Sequence, residues 1–282
     1  MAKNFGKGAR RMRILTYNVH GWKTPTGESN ISDVGAILRE CAADLVALNE
    51  VFLPCEDSGE NALARLAAEL RMEWAFGGVQ HGGYGNSYTC ETQYGNACLS
   101  RYPISAAVSH PLPPGTAGGE RILLEVQITA PGDKALTVYI THLDHRSEKH
   151  RLDQFWAVER LLERNSGQPH ILVGDFNALA ESDYVSPAVL AELSDLHSER
   201  GWPPPEFGLI RHILAAGYSD AAAECRTGSR PTWPAQQPER RVDYFFLSPQ
   251  LVDQLVDCRP IISSRSLQGS DHLPLMLDLE LR

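Results

Sequence analysis

The chain of 282 residues lacks several features that would place it in a class at once. No apolar run approaches the roughly 20 residues of a membrane-spanning helix, so stable membrane insertion is not expected. The basic stretch from Met1 to Arg13 leads into no apolar signal region, and a cytoplasmic location is the expectation. Cys41, Cys55, Cys90, Cys98, Cys225 and Cys258 show no C-x-x-C spacing. That favours structural thiols in a reducing compartment over a disulfide scaffold or a zinc site. No Gly-x-Ser-x-Gly elbow is present, which removes the commonest serine-hydrolase arrangement.

Positive charge is also short, with 26 Lys and Arg against 35 Asp and Glu and a formal net charge of -9. Such a chain lacks the basic surface that gives most non-specific affinity for duplex nucleic acid. It remains compatible with an enzyme that offsets clustered carboxylates with bound cations. No polar linker, low-complexity tract or repeat divides the sequence. Residues 13–282 therefore read as a single domain behind a short basic tail, residues 1–12, with Pro203-Pro204-Pro205 as an internal loop. Nothing in the sequence points to a protein partner.

What is present is a series of apolar strands that end in polar residues. Met12 to Val19 and Asp44 to Glu50 read as strands, as do Trp74 to Val79 and Gly95 to Ser100. Arg121 to Ile128 and Ala135 to Thr141 read as a hairpin closed by Pro131-Gly132-Asp133. Val242 to Leu247, Val256 to Ile262 and Leu273 to Leu281 complete the set. Helical spacing runs through Ile31, Val34, Ile37, Leu38 and Cys41, with Asn30 or Ser32 as N-cap. It recurs through Leu63, Leu66, Ala67 and Leu70, and from about Glu148 to Arg164. Hairpin-like neighbours and irregularly placed helices predict an α/β sandwich of two mainly antiparallel sheets covered by helices.

The strand Ile171-Leu172-Val173 ends in Gly174-Asp175-Phe176-Asn177, where Gly174 is expected to allow a tight turn. Asp175 and Asn177 would project from the strand's carboxyl end, and a carboxylate beside a carboxamide suits a divalent cation, a phosphate oxygen and a water. The context recurs. Asn18 follows Leu15-Thr16-Tyr17, Glu50 follows Leu45-Val46-Ala47-Leu48, and His142 follows Val138-Tyr139-Ile140-Thr141. Asp243 precedes Tyr244-Phe245-Phe246-Leu247, and Asp271-His272 precede Leu273-Pro274-Leu275. Each alone has a structural explanation, a turn, a strand end or a core histidine. Their repetition in one local context does not.

In this order Thr16-Tyr17-Asn18-Val19, Asn49-Glu50, Thr141-His142-Leu143, Gly174-Asp175-Phe176-Asn177, Arg241-Val242-Asp243-Tyr244 and Ser270-Asp271-His272 resemble the motifs of the endonuclease/exonuclease/phosphatase superfamily. That superfamily includes deoxyribonuclease I, exonuclease III, neutral sphingomyelinases and inositol-polyphosphate 5-phosphatases. The resemblance implies a four-layer sandwich, deoxyribonuclease I-like, and Mg²⁺- or Mn²⁺-dependent hydrolysis of phosphate esters. A calcineurin-like dimetal phosphoesterase would need Gly-Asn-His and His-x-His clusters, and neither is present.

Under this resemblance Glu50 is the principal metal ligand, since Mg²⁺ favours one or two carboxylates plus waters and substrate oxygens. Asn18 steadies that shell or touches phosphate, and Asp271 is the second carboxylate near the metal. Asp175 activates the attacking water, and Asn177 orients the water or the phosphate. Asp243 fixes the tautomer of His272 and favours its protonated form, which can donate to a phosphate oxygen. His142 is suited to stabilising developing charge or protonating the leaving group.

Thr141-His142-Leu143-Asp144-His145 departs from the exonuclease III pattern and is similar to the His-containing deoxyribonuclease, sphingomyelinase and phosphatase branches. Asp144, His145 and Arg151 either reach substrate or brace the loop and the following helix. Arg121 is a candidate phosphate clamp, whereas Arg101, beside Tyr102-Pro103, suits a loop brace. Trp233 either stacks on a leaving group or packs in the core. Trp22 and the Gly82-Gly83-Tyr84-Gly85-Asn86 loop are candidates to line the mouth. No cluster of extra basic residues marks a polyphosphate site, and no signal or exposed apolar hairpin marks a membrane-active sphingomyelinase. The expectation is a phosphodiesterase of a nucleic-acid or nucleotide ester, with a phospholipid headgroup or sugar or inositol phosphate as the alternative. A catalytically inactive binding module of the same fold would be expected to lack a motif residue, and none is missing.

Overall fold

The computed structural model describes residues 10–55, 61–80, 92–225 and 230–281. Cys90 and the glycine-rich loop at 82–86 lie outside them, as does most of the basic tail. Twelve strands occur among the described residues. The first six are β1 (Arg10–Asn18), β2 (Leu45–Leu53), β3 (Glu73–Gln80), β4 (Gln93–Ser100), β5 (Ile104–Pro111) and β6 (Ile122–Ala130). The remainder are β7 (Lys134–His142), β8 (His170–Asp175), β9 (Ser219–Asp220), β10 (Asp243–Leu247), β11 (Leu255–Pro260) and β12 (Leu275–Leu281). The longer helices are α1 (Ile31–Cys41), α2 (Ala62–Leu70), α3 (Glu148–Leu162), α4 (Pro187–Glu199) and α5 (Gly208–Ala215).

The strands form two six-stranded sheets, in the orders β11-β12-β1-β2-β4-β3 and β5-β6-β7-β8-β10-β9. Among the described residues only β1·β2 and β7·β8 pair in parallel; the other pairings are antiparallel. A parallel pair needs a crossover, and α1 and α3 supply one in each sheet. The sheets are thus mixed, with antiparallel pairing predominant.

Strand periodicity sorts the side chains into layers. Ile171 and Val173 face inward with Ile14, Leu45, Leu124, Val138 and Phe245, closing the space between the sheets. Leu172, between them in sequence, faces outward against Phe155, Val158, Leu209 and Ile213 of α3 and α5. On the other outer face Leu15, Val46 and Leu99 meet Val34, Ile37, Leu38, Leu63 and Leu66 of α1 and α2. Helix, sheet, sheet and helix therefore make four layers.

Three local expectations change. Asn30 occupies the N-cap position of α1 but makes no side-chain cap bond; its Nδ2 donates instead to the carbonyls of Val19, Lys23 and Gly269. Trp22 does not line the mouth: it is 3% exposed and its Nε1 donates to the Phe52 carbonyl. Gly174 lies within β8 rather than at a turn. Its φ of 134° and its closeness to Thr141 exclude a side chain, since a Cβ there would meet the Thr141 carbonyl oxygen at 2.0 Å. Arg101 does brace a loop, with Nε donating to the Ala43 carbonyl at 3.0 Å.

Candidate active site

Pairing register gathers the site. Across neighbouring strands, His142 of β7 lies opposite Asp175 of β8, and Asp175 lies opposite Asp243 of β10. In the first sheet Asn18 lies opposite Asn49, directly before Glu50. The β2·β4 register slips between Leu48 and Val51, and Glu50 takes a φ of 57° within that irregularity. A bulge of this kind re-aims a side chain, here toward the second sheet.

The two sheets meet through amides. Asn49 Nδ2 donates to Asn96 Oδ1 at 2.7 Å and to the Thr141 carbonyl at 3.0 Å, and its Oδ1 accepts the Asp175 N–H at 3.1 Å. Asn96 continues the link to the Ile122 and Ile140 carbonyls. Asn18 Nδ2 donates to Glu50 Oε1 at 2.9 Å and to Asp175 Oδ2 at 3.1 Å, and its Oδ1 accepts the His20 N–H. Asn177, with φ 50°, donates its N–H to Asp175 Oδ1 at 2.9 Å and its Nδ2 to the Leu143 carbonyl.

Asp175 Oδ2 stands 3.6 Å from His142 Nε2 and 3.6 Å from His272 Nε2. The two rings have opposite electrostatic settings. His272 Nδ1 is 2.9 Å from Asp243 Oδ2; burial alone would lower its pKa, but the Asp243 and Asp175 carboxylates outweigh burial and raise it well above the usual value. His142 is held well below the usual value by burial, then by the charges of Arg121 and His272. Its Nε2 faces Glu50 and Asp175 and its Nδ1 lies 3.2 Å from the Tyr94 hydroxyl. Facing carboxylates favour the neutral tautomer with the proton on Nε2. Burial pushes the Asp175 carboxyl up to about 7, Asp243 adding to the rise and His272 opposing it.

Two groups of ligand atoms lie within 4.8 Å of one another, Glu50-His142-Asp175 and Asp175-Asp243-His272. Their carboxylates could hold a metal ion; His142 and His272, with protons on the Nε2 atoms that face those carboxylates, offer no lone pair there. Glu50 keeps a quarter of its side chain exposed toward the cleft, and Asp243 Oδ1 is buried without a hydrogen-bond partner. A carboxylate set of this kind, open to water on one side, fits a small hard cation. Asn18, as bonded, presents its N–H rather than its oxygen to the carboxylates, so it holds them in place. Asp271 belongs to neither group; its Oδ2 accepts Trp233 Nε1 at 3.3 Å and its carboxylate lines the same cleft.

The cleft measures about 1280 Å³ and is lined by Glu50, His142, Asp175, Asn177, Asp271 and His272. Arg121, His145, Arg151 and Trp233 also line it. Arg151 is buried and committed internally, through Nε to Glu148 Oε2 at 2.9 Å and Nη1 to the Asp144 carbonyl at 3.0 Å. Asp144 accepts from the backbone of Thr116, Arg146 and Ser147. Both contact sets are those of a loop brace. His145 is exposed and its Nε2 accepts from Arg146 Nε, while Arg121 lies over the Tyr94 ring at 5.9 Å. Trp233 is half-buried on the cleft wall beside Trp202 and Arg240. Trp202, Arg240 and Tyr94 were given no role in the sequence, and folding brings them to the cleft; Asn96, buried within β4, joins the amide link to Asn49 instead.

A two-sheet sandwich with carboxylates and imidazoles at one end of both sheets is a phosphoesterase architecture. The family model described as Endonuclease/Exonuclease/phosphatase family matches residues 15–272, and the chain belongs to that family. Uncharacterized protein YbhP of Escherichia coli strain K12 is 28% identical over 216 residues, spanning 71% of this chain and 81% of that protein. An endonuclease/exonuclease/phosphatase structure from Beutenbergia cavernae DSM 12333 superposes with a TM-score of 0.73 at 25% identity, covering 96% of this chain and 72% of the other. The mannosyl-6-phosphatase Bt3783 of Bacteroides thetaiotaomicron VPI-5482 shares the fold, with a TM-score of 0.65 at 17% identity and 94% and 98% coverage.

Proposed function

We propose that this protein is a divalent-metal-dependent phosphodiesterase that cleaves a nucleic-acid or nucleotide ester by in-line attack of water. The observation that carries this reading is the placement of Asp175 between two imidazoles of opposite charge state. A carboxylate whose pKa lies at about 7 can take a proton from water at neutral pH and release it again. His272, kept protonated by Asp243, donates to a non-bridging phosphate oxygen and stabilises the charge that grows there. His142 contributes a neutral N–H, so of the two roles open to it, stabilising charge suits its environment and supplying a proton does not. Asn177 and Asn18 orient the carboxylates and the water. Mg²⁺ or Mn²⁺ held by Glu50, with Asp271 nearby, would neutralise phosphate charge and lower the pKa of water.

The half-buried Trp233 on the cleft wall favours an ester with a planar group beside the phosphate, as a nucleotide has. A sugar phosphate is the second reading, favoured by the fold shared with a mannosyl-6-phosphatase. A metal-dependent panel of single- and double-stranded DNA, RNA, 5′-tyrosyl DNA, inositol phosphates, lysophospholipids and sugar phosphates tests both. Glu50→Ala and Asp175→Asn should each remove turnover while the fold persists; wild-type turnover in both would overturn the mechanism.

A further inference from the structure

Arg240 is a half-buried cation whose Nε meets no acceptor among the described residues. Its Nε is shielded from water and has no hydrogen-bond partner, and among the described residues its guanidinium makes no ion pair. It is instead wedged between two indoles, 4.2 Å from the Trp202 ring centre and 4.5 Å from that of Trp233. Cation–π contact stabilises such a charge but leaves its in-plane N–H donors unused. Burial lowers its pKa to about 10, so it is charged at neutral pH. A shielded N–H without an acceptor is costly, and an anion reaching Nε would satisfy it.

The setting is pre-organised. Trp233 and Arg240 form an antiparallel bridge in which Trp233 N donates to the Arg240 carbonyl and Arg240 N donates to the Trp233 carbonyl, both at 2.9 Å. The same segment is tied to the site, since Ala235 N donates to the Asp271 carbonyl and Leu273 N to that of Thr232, both at 2.7 Å. Arg200, also over the Trp202 ring, is paired with Glu239 and so is not available in the same way. In the sheet order β7-β8-β10, Arg240 precedes β10, opposite to the flank of β8 that carries His142. Arg240 lines the same cleft as Asp271 and His272.

We propose that Arg240, with Trp202 and Trp233, forms an anion subsite that binds a second phosphate of the same substrate. The proposal rests on the nucleotide-ester reading, and deepens it: a mononucleoside diester would leave the subsite unfilled, and a terminally phosphorylated oligonucleotide would fill it.

The test is equilibrium binding to metal-free protein, followed by tryptophan fluorescence, so that no turnover intervenes. The ligands are a dinucleotide and the same dinucleotide carrying a 5′- or a 3′-terminal phosphate. In wild type one terminal phosphate should tighten Kd by about tenfold or more, the scale of charge-assisted hydrogen bonds. In Arg240→Gln that gain should shrink to within about twofold, and Arg240→Lys, which restores the charge, should recover part of it. No gain in wild type from either phosphate, or a full gain in Arg240→Gln, overturns the subsite. Failure of the proposed reaction would show separately, as binding with this pattern and no hydrolysis when Mg²⁺ or Mn²⁺ is added.

Discussion

Asn49 of the first sheet accepts the backbone N–H of Asp175 in the second, with 3.1 Å between Oδ1 and N. The same amide donates to Asn96 and to the Thr141 carbonyl, so one fully buried side chain sets the spacing of the sheets where the site lies. Replacing it with Leu keeps the volume and leaves the Asp175 N–H and the Thr141 carbonyl without these partners. A loss of about 2–4 kcal/mol is expected, from two or more buried groups left unsatisfied. Urea unfolding of Asn49→Leu measures it, and a stability within about 0.5 kcal/mol of wild type would show that the clamp carries no strain of this kind.

His272 owes its proton to Asp243. Burial pulls its pKa down, and the Asp243 carboxylate leads the charges that push it well above normal. Asp243→Asn keeps the hydrogen-bonding shape and removes the charge. Deprotonation of His272, followed by NMR in metal-free protein, should then move to lower pH. An unchanged titration would mean that Asp175 alone holds the proton.

The part of the site legible in the sequence is the part that strand ends announce. Asn18, Glu50, His142, Asp175, Asn177, Asp243 and His272 each stand in or close to an apolar strand, and register brings His142, Asp175 and Asp243 side by side. Asn49 and Asn96 were illegible as a clamp because each is one polar residue inside a strand, and the two stand 47 residues apart. The strand β5 escaped because it is an edge, half-exposed and ending at Pro111, with no continuous apolar run. Helix α4 buries only Leu193 and His197, so its periodicity is weak although Ser186 caps it by accepting the Val189 N–H. The Trp202–Arg240–Trp233 wedge joins segments that no local pattern links.

If Glu50 is the principal ligand, Mg²⁺ or Mn²⁺ should stabilise the folded protein through mass action. At a hundredfold excess over Kd the gain is about 2.7 kcal/mol. Thermal unfolding should show a Tm rise with either ion in wild type, and little or none in Glu50→Ala. An equal rise in both would place the ion elsewhere.

Asp278 offers a pH test remote from the site. Burial raises its pKa, but hydrogen bonds from Arg11 and Arg259 outweigh burial and hold it below the usual carboxylate range. A depressed folded pKa contributes stability that is present above the unfolded value, about 3.9, and is lost as pH falls through the folded one. Asp278→Asn should therefore be less stable at pH 7 by about 1–2 kcal/mol, a figure kept small because both arginines are roughly half-exposed and screened. The gap to wild type should close as pH falls below about 4, and a gap that persisted at pH 2 would assign the cost to packing instead.

Gly174 and Gly132 both have positive φ, 134° and 79°, but their surroundings differ. At Gly132, in the turn between β6 and β7, a Cβ would meet nothing within 4 Å. Ala there should cost about 1–2 kcal/mol, the left-handed penalty alone. At Gly174 a Cβ would collide with the Thr141 carbonyl at 2.0 Å and crowd Asn49 Oδ1 at 3.1 Å, so β7 and β8 would have to part. Gly174→Ala should cost more than about 3 kcal/mol and should displace Asp175 from its place between the imidazoles. Paired unfolding curves of the two variants decide it. Equal losses would mean that Gly174 is needed for its backbone angle and not for the close approach that positions Asp175.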